Sequence, residues 1–276
     1  MTNIQIISDL ISSYPVSGKT WVHHETKPHG GYRKIISPNR QLNSWLKKAN
    51  TQLYKLCLPW PDIMHGGIKK RSYVTFAQPH VGKQHVITVD IRKCFDNIRD
   101  YKVAEVLAAE LQISEDVAAI LAKLLCYKRV LPQGYATSNL ICNLVLRERM
   151  NKINLDLSSM GYTVTNYVDD IAISGNIENP HEVINSVATE LSRCGLAINK
   201  LKVKVYPANK PQTICGLTVN KKLAISRGKR LQLCRAVATG SISDESLQGW
   251  LANLHSVNPE FESKLRAYAQ KSGYIL

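Results

Sequence analysis

Two hydrophobic periods run along the chain, and together they predict interleaved helices and strands. Apolar residues at helical spacing predict helices over 41–57, after a cap at Ser114, and over 137–153. Alternating β-branched and aromatic residues predict strands over 85–91, 163–167, 171–175, near 202–206 and near 213–219. Because these elements do not follow a strict βαβ order, the pattern favours the α+β class.

The C-terminal third carries clear signals for helix boundaries. Asn179 and Pro180 combine a cap with a first-turn proline, and Gly195 ends that helix. Ser243 and Asn258 open two further helices, so residues 228–272 are expected to form a small helical bundle. No linker rich in Pro, Gly or Ser separates the elements, and we therefore expect subdomains that pack together.

Composition places the chain among globular proteins, with 276 residues of which 44% are hydrophobic and 21% charged. Residues 1–20 lack a basic leader, and Asp9 interrupts their apolar run, so we expect neither a signal peptide nor a membrane span and a cytoplasmic location. The seven cysteines show no CxxC spacing. Most lie in apolar runs, which favours buried free thiols over disulfides or zinc ligands.

The formal charge of +15 is distributed unevenly. Residues 1–80 carry 11 Lys/Arg against 3 Asp/Glu, residues 81–220 carry 16 against 14, and residues 221–276 carry 9 against 4. Two basic flanks around a nearly neutral centre are typical of a nucleic-acid channel with an acidic site inside it. A solvated basic surface is the alternative that charge alone leaves open.

Three aspartates are the strongest candidates for chemistry. Asp90 ends a predicted strand, and Asp169 and Asp170 occupy the tip of a predicted hairpin. If these elements are neighbours in one sheet, their carboxylates converge, as two-metal phosphoryl transfer requires. Mg²⁺ prefers such hard oxygen ligands. An adjacent Asp pair taken alone is more often a polar turn.

The sequence around these aspartates resembles the reverse transcriptase family, in ordered blocks from about Gly30 to Leu265. TVDIRKCFDNI, LPQGYATSN and NYVDDIAISG are similar to three successive blocks of that family. The resemblance implies a right-hand polymerase fold of the α+β class, with fingers and N-terminal helices in 1–84, a palm in 85–220 that includes part of the fingers, and a thumb in 221–276. It also implies that Asp90, Asp169 and Asp170 bind two Mg²⁺ ions, or Mn²⁺, and that the substrates are dNTPs.

The resemblance further implies six residues that contact the incoming nucleotide or the primer end: Arg33, Phe95, Gln133, Gly134, Tyr167 and Lys202. Arg33 would grip the triphosphate, Phe95 would exclude a ribose 2′-hydroxyl, and Lys202 would protonate the leaving pyrophosphate. Gln133 and Gly134 would contact the new base pair, and Tyr167 would place the primer. Ordinary core or surface positions remain the alternative for each residue taken alone.

Six residues are candidate contacts to RNA or DNA: Lys34, Arg40, His80, Lys229, Arg230 and Arg235. Lys229, Arg230 and Arg235 lie on one predicted helix and suit a phosphate backbone. A solubilising helix face is the alternative interpretation of these three residues.

Size and secondary blocks resemble the retron-type bacterial branch, as in GGYRKIISP, HGGIKKRSYVTFAQPHVGK and LQGWLANLHSVNPEFESKL. That branch implies copying of a cognate structured noncoding RNA into short RNA-linked single-stranded DNA, antiphage defence and an accessory effector protein. The chain departs from the branch at two elements: Asn-Ala-x-x-His is replaced by residues 76–80, and Val-Thr-Gly by Ile214, Cys215 and Gly216. Another bacterial defence enzyme or a group II intron-derived reverse transcriptase therefore remains open, as does a non-catalytic RNA-binding scaffold.

Overall fold

A computed structural model describes residues 2–26, 30–57 and 59–275 and combines helices with antiparallel sheets. The helices are α1 (Asn3–Ser12), α2 (Arg40–Leu56), α3 (Tyr73–Ala77), α4 (Cys94–Asn97), α5 (Asp100–Leu111), α6 (Glu115–Leu125), α7 (Ser138–Ser159), α8 (Pro180–Ser192), α9 (Arg227–Ala238), α10 (Asp244–Val257) and α11 (Pro259–Lys271). The strands are β1 (Thr20–Thr26), β2 (Tyr32–Pro38), β3 (His85–Asp90), β4 (Thr163–Tyr167), β5 (Asp170–Gly175), β6 (Lys204–Pro207), β7 (Thr213–Ile214), β8 (Leu217–Thr218) and β9 (Ala224–Ile225).

The predicted helix caps are confirmed by side-chain hydrogen bonds. Ser114, Asn179, Ser243 and Asn258 each accept a backbone N–H from the first turn of α6, α8, α10 and α11. Helix α7 continues to residue 159, beyond the predicted end at 153, because the buried side chain of Leu157 extends its apolar face. The predicted α+β class is confirmed.

A four-stranded antiparallel sheet in the order β4-β5-β3-β6 forms the centre of the molecule. Its two faces bury different cores, because side chains alternate along each strand. Ile87 and Val89 face the larger core, which includes α2, α5 and α7. Val86 and Ala172 face a smaller core that includes the C-terminal helices. The end of β3 is thereby packed between the larger core on one face of the sheet and the smaller core on the other.

The C-terminal region contains the expected bundle, formed by α9, α10 and α11, and also a small sheet that the pattern did not predict. The predicted strand over 213–219 is wrong. Cys215 and Gly216 have φ angles of 44° and 81°, which turn the chain back between β7 and β8. Strand β9 completes this sheet, so it crosses the expected subdomain boundary between residues 220 and 221.

The β1–β2 hairpin is largely exposed. Side chains of β1 are exposed from Trp21 to Thr26, and on β2 only Ile36 is buried.

Among the residues described, no helix has both the length and the apolar character needed to cross a membrane.

Candidate active site

The three candidate aspartates meet at one end of the two inner strands of the central sheet, where β3 ends and β5 begins. Asp90, the last residue of β3, is the direct antiparallel partner of Asp170, the first residue of β5. Asp169 precedes it in the β4–β5 turn, and its carbonyl accepts a 2.9 Å hydrogen bond from the N–H of Ile91. Strand register therefore gathers carboxylates that are far apart in the sequence.

Asn166 holds the β4–β5 turn from inside. Its side chain is fully buried, and Nδ2 donates to the carbonyl of Val168 at 2.9 Å and to that of Asp170 at 3.2 Å. Val168 has a φ of 57°, a conformation that β-branched residues rarely adopt. The two hydrogen bonds offset this local cost and fix the direction in which the carboxylates leave the turn.

A second segment supports the same turn. The N–H of His65 donates to the carbonyl of Asn166 at 2.7 Å. At the next position, a Cβ added to Gly66 would lie 2.4 Å from Cγ2 and 2.7 Å from the backbone N of Val168. Only glycine permits this close approach of position 66 to Val168. The carbonyl of Gly66 also accepts a 2.7 Å hydrogen bond from Nδ2 of the buried Asn143 on α7.

The carboxylates lie in a partly desolvated environment. Burial, followed by the negative charges of Asp169 and Asp90, raises the pKa of Asp170 to about 6. Burial also raises the pKa of Asp169, and the charge of Asp90 adds to this shift. The negative charge gathered at this position favours a bound cation.

Asp90 has two polar partners that come from one segment. Nζ of Lys202 lies 2.8 Å from Oδ2 of Asp90, and Nδ2 of Asn199 donates to Oδ1 at 3.1 Å. The N–H of Asn199 also donates to the carbonyl of Asp90 at 2.7 Å. The segment before β6 thus fixes both the backbone and the side chain at the end of β3.

A cavity of about 1060 Å³, which we call the catalytic cavity, opens above the aspartates. Its walls include five residues that the family resemblance implied: Arg33, Phe95, Gln133, Gly134 and Lys202. Phe95 is half-buried against the larger core, and Arg33 is exposed on β2. The cavity therefore combines an acidic floor with basic and aromatic walls.

Gly134 joins the β1–β2 hairpin to the rest of the cavity. The N–H of Ile36 donates to the carbonyl of Gln133 at 2.7 Å. Gly134 has a φ of 118°, and a Cβ there would lie 2.4 Å from the carbonyl oxygen of Ile36. Glycine is required at this position because the hairpin backbone packs directly against it.

The family model for "Reverse transcriptase (RNA-dependent DNA polymerase)" matches residues 25–219, which contain all of this geometry. The chain belongs to the reverse transcriptase family. The match includes the strand that ends at Asp90 and the hairpin that carries Asp169 and Asp170, but it ends before the C-terminal helices.

Known reverse transcriptases of retrons are similar over most of this chain. The Retron Mx65 reverse transcriptase of Myxococcus xanthus is 29% identical over 87% of this chain and 61% of its own length. The Retron Se72 enzyme of Salmonella heidelberg is 29% identical over 66% and 48%, and the Retron Ec86 enzyme of Escherichia coli is 26% identical over 88% and 78%. The chain thus spans about half to three fifths of the first two relatives.

Solved structures support the polymerase fold. Telomerase from Candida tropicalis in complex with a fragment of telomeric RNA has a TM-score of 0.53 and 13% identity, over 98% of this chain and 56% of that one. Telomerase from Candida albicans in a similar complex has a TM-score of 0.51 and 12% identity, over 92% and 60%. At this level of identity the likeness concerns the fold alone.

Tyr167 does not line the cavity, unlike the other predicted nucleotide contacts. Its half-buried ring packs against Phe76, with 5.7 Å between the ring centroids. Tyr167 directly precedes the turn and is the antiparallel partner of Asp170. Its proposed contact with the primer end stays a prediction.

The prediction that the His80 side chain contacts nucleic acid is wrong. His80 is fully buried, and its two ring nitrogens lie 2.7 Å from the hydroxyls of Ser174 and Thr165. Burial, followed by the charge of Lys83, lowers the pKa of His80 to about 3. This neutral ring braces β4 and β5 from within the protein.

The remaining candidate nucleic-acid contacts fall into two groups. Lys34, Arg40 and Arg235 are exposed, and none of them lines the catalytic cavity. Lys229 and Arg230 are half-buried over aromatic rings of the bundle, at 4.5 Å from Trp250 and 5.9 Å from Phe261. The structure therefore does not place the three predicted contacts of α9 on one exposed face.

Three residues near the aspartates were missed by sequence reasoning: Asn166, Asn199 and Cys215. Cys215 is exposed, and its Sγ lies 3.8 Å from Oδ2 of Asp170, so the expectation of a buried thiol is wrong at this position. All seven cysteines are free, as expected. Position next to the YVDD motif was the only signal for Asn166, Cys215 was marked only by the departure from Val-Thr-Gly, and no signal was used for Asn199.

The donor set of this site fits a divalent metal. Asp90, Asp169 and Asp170 offer hard carboxylate oxygens, and their mutual repulsion is relieved by a cation. Throughout residues 2–26, 30–57 and 59–275, however, no three His, Cys, Asp or Glu side chains already stand together as a formed metal site. Lys202 neutralises part of the charge on Asp90.

Proposed function

We propose that this chain is an RNA-directed DNA polymerase that works by two-metal phosphoryl transfer. One observation carries the proposal: strand register brings Asp90 against Asp170, with Asp169 in the adjoining turn, at the floor of a cavity that has basic and aromatic walls. Membership of the reverse transcriptase family supports it.

Asp90, Asp169 and Asp170 would hold two Mg²⁺ ions, or Mn²⁺, which suits the same oxygen donors. Bound metal supplies activation of the attacking hydroxyl and charge neutralisation at the leaving pyrophosphate. The chain itself holds the three carboxylates in position through Asn166 and Asn199. Lys202 leaves its contact with Asp90 to donate a proton to the pyrophosphate.

The walls of the cavity would select and orient a dNTP. Arg33 presents a guanidinium to the triphosphate, and Phe95 excludes the 2′-hydroxyl of a ribonucleotide. Gln133 and Gly134 contact the new base pair, because the turn brings their backbone to the cavity surface. Tyr167 supports the primer end beside the turn.

The subdomains follow the right-hand polymerase plan. The N-terminal helices and fingers would lie in residues 1–84, the palm with part of the fingers in residues 85–220, and the thumb in residues 221–276, with β9 pairing across the last boundary to β8. We further propose that the substrate RNA is a cognate structured noncoding RNA and that the product is short RNA-linked DNA made in antiphage defence with an accessory effector, in the cytoplasm. Similarity to three retron reverse transcriptases supports this branch.

A second candidate function is that of a different bacterial defence enzyme or a group II intron-derived reverse transcriptase. It is favoured by the two departures from the retron pattern, since Cys215 replaces the middle residue of Val-Thr-Gly and lies beside Asp170. The chemistry at the aspartates is the same in both candidates, whereas the RNA differs. A scaffold without catalysis is disfavoured because all three aspartates and their supports are present.

The test is to express the chain with its native upstream DNA and to compare extracted nucleic acid from wild type and the Asp169→Asn/Asp170→Asn double variant on a denaturing gel. A short RNA-linked DNA present only in wild type supports the retron function. An intron-like RNA that copurifies, without such a product, supports the second candidate. Unchanged biological activity in the double variant would indicate the scaffold.

A further inference from the structure

Helix α2 presents a continuous basic face that plays no part in the site described above. Its exposed positions are all polar: Arg40, Gln41, Ser44, Lys47, Lys48, Thr51 and Lys55. The buried positions of the same helix, including Leu42, Trp45 and Leu53, form the opposite side and belong to the larger core. We name the four cations Arg40, Lys47, Lys48 and Lys55 the α2 basic face. They extend over roughly 22 Å of helix at 1.5 Å per residue.

Local electrostatics does not account for these cations. No Asp or Glu occurs between residues 26 and 61, and within the described parts of the chain none of the four cations makes an ion pair. Arg40 is the first residue of α2, at the helix end where the macrodipole disfavours positive charge, and the first turn contains no acidic residue. Lys55 lies in the last turn, where the macrodipole favours a cation, whereas the other three cations have no such compensation, and an external anion would stabilise them.

Lys69, from another segment, packs against α2. Its backbone N–H donates to the hydroxyl of Tyr54 at 3.1 Å, and its Nζ lies 5.3 Å from the centre of that ring. Tyr54 is a buried residue in the C-terminal half of α2, so Lys69 lies beside this helix without forming part of the α2 basic face.

This surface is separate from the catalytic cavity. None of the residues that line the cavity belongs to α2, although Arg33 and Ile35 on the preceding strand do line it. The part of an RNA that binds the α2 basic face is therefore different from the part that is copied in the cavity. The face is suited to holding an RNA in place while another part of it enters the cavity.

The composition of the face indicates the class of ligand. Cations spaced along the helix with hydroxyl side chains between them match phosphate oxygens, which proteins contact through Lys, Arg, Ser and Thr. Single strands usually need exposed aromatic side chains on which bases stack, and α2 exposes none. A membrane-surface helix needs a free apolar face, but that of α2 is buried in the core.

We propose that the α2 basic face binds the phosphate backbone of a double-helical RNA stem, outside the catalytic cavity. The proposal deepens the proposed function, because it places a structured part of the RNA partner on a defined surface. Double-stranded RNA suits this mode of binding since it is recognised through shape and phosphate contacts more than through base sequence.

The test uses the full chain and the variant Arg40→Gln/Lys47→Gln/Lys48→Gln/Lys55→Gln. Binding of a fluorescent 20-base-pair RNA duplex, a length of roughly one dsRNA-binding-domain footprint or slightly more, is titrated by anisotropy at several salt concentrations. We expect the variant to bind the duplex at least tenfold more weakly. The slope of log affinity against log salt should become shallower by about 0.9 for each phosphate that the variant no longer neutralises.

The matched control removes the same charge elsewhere through Lys123→Gln/Lys128→Gln/Lys152→Gln/Lys210→Gln, at positions outside α2 and outside the cavity lining. Equal losses in both variants would overturn the proposal, because they would show an effect of net charge alone. A single-stranded RNA of equal length that loses as much affinity as the duplex would also overturn it. The smaller variant Lys47→Gln/Lys55→Gln serves if the fourfold variant does not fold, and it should give about half the change in slope.

A second readout separates this proposal from the proposed function. Extension of a short, preannealed DNA primer on an RNA template should be unchanged within about twofold in the Lys47→Gln/Lys55→Gln variant, because the catalytic cavity is intact. Wild type that binds the duplex but extends no primer would contradict the polymerase function and leave the α2 basic face supported. Wild type that extends primers, together with a variant that binds the duplex normally, would support the polymerase function and contradict the proposal for the α2 basic face.

Discussion

The β4–β5 turn and the β1–β2 hairpin both face the catalytic cavity, yet they are anchored in opposite ways. The turn is held by the buried side chain of Asn166, by the contact with Gly66 and by the N–H of Ile91. The hairpin is exposed along β1 and meets the cavity wall mainly where Ile36 bonds to Gln133.

The difference separates two tasks in one site. Carboxylates that position reacting atoms gain from a preorganised support, because small displacements are costly to catalysis. A wall that admits and releases nucleotides gains from few tertiary contacts, since such segments open at low free energy. We therefore expect substitutions in the turn to lower kcat, and substitutions in the hairpin to raise KM.

The largest effect is expected for Asn166→Ala. Loss of the hydrogen bonds to Val168 and Asp170 displaces the carboxylates, and a displacement of about 1 Å lowers kcat by roughly 10²-fold. KM for dNTP should change little. The free energy of unfolding should fall by about 1–3 kcal/mol because buried carbonyls lose their donor. Steady-state primer extension and urea unfolding measure both quantities.

Asn151→Ala, at an exposed position on α7, is the matched control and should leave kcat and stability unchanged. If Asn166→Ala raises KM while kcat stays normal, Asn166 does not position the turn. A wild-type kcat for Asn166→Ala would lead to the same conclusion.

Gly66→Ala should act on the same turn from the other side. The added methyl group would meet the backbone N of Val168 at 2.7 Å, which cannot be relieved by a side-chain rotation. We expect about 1–3 kcal/mol of destabilisation from overpacking and at least a tenfold loss of kcat, about 1.4 kcal/mol of barrier. Gly249→Ala has no atom within 4 Å of the new methyl group and serves as control. Equal behaviour of the two variants would argue against close packing at Gly66.

Arg33→Ala tests the hairpin side of the comparison. Loss of a charge-assisted hydrogen bond of about 1.5–3 kcal/mol should raise KM for dNTP roughly tenfold or more, with little change in stability because Arg33 is exposed. Lys34→Ala, on the opposite face of the same strand and outside the cavity lining, should change KM less than about twofold. Equal effects of both variants would contradict a specific role for Arg33.

The last prediction concerns the dependence of stability on pH, and not catalysis, through the histidines that brace the rigid region. Burial lowers the pKa of His80 to about 3 and that of His65 to about 4, against an ordinary value near 6.5. Below about pH 6.5 the unfolded chain binds protons that the folded chain does not bind. The contribution of these histidines to stability should therefore fall as pH decreases from about 6.5 towards about 4, by up to roughly 1.4 kcal/mol per pH unit for each histidine.

Chemical denaturation at about pH 7.5, 6 and 5 measures this loss, and His80→Gln should reduce the slope of stability against pH. A slope that is identical in wild type and His80→Gln would show that His80 is not buried neutral in solution.

Local pattern predicted the elements of the site well but not their supports. Alternation predicted β4 and β5, and the two adjacent aspartates marked the turn between them. The approach of Gly66 to Val168 joins two segments that are distant in the chain, and no local period encodes it. His80 was misjudged for a related reason: its partners Ser174 and Thr165 lie on distant strands, so its burial follows from tertiary packing.

Surface charge was equally difficult to assign from sequence. Lys229 and Arg230 were grouped with Arg235 by helical position, but two of the three lie over aromatic rings of the bundle. In α2, by contrast, the exposed cations share one face because the apolar residues of that helix are consistently on the other side. Exposure of charge depends on the neighbouring element, which the sequence period alone does not specify.

Primer extension by the purified chain tests the central claim most directly. Wild type and Asp169→Asn/Asp170→Asn are compared on an RNA template with a DNA primer, Mg²⁺ and dNTPs, with Glu115→Gln/Asp116→Asn as an exposed acidic-pair control. The account predicts extension by wild type and control, and a loss of at least about 10³-fold in the aspartate variant, equal to about 4 kcal/mol of barrier. Normal extension by that variant, or none by wild type and control, would contradict it.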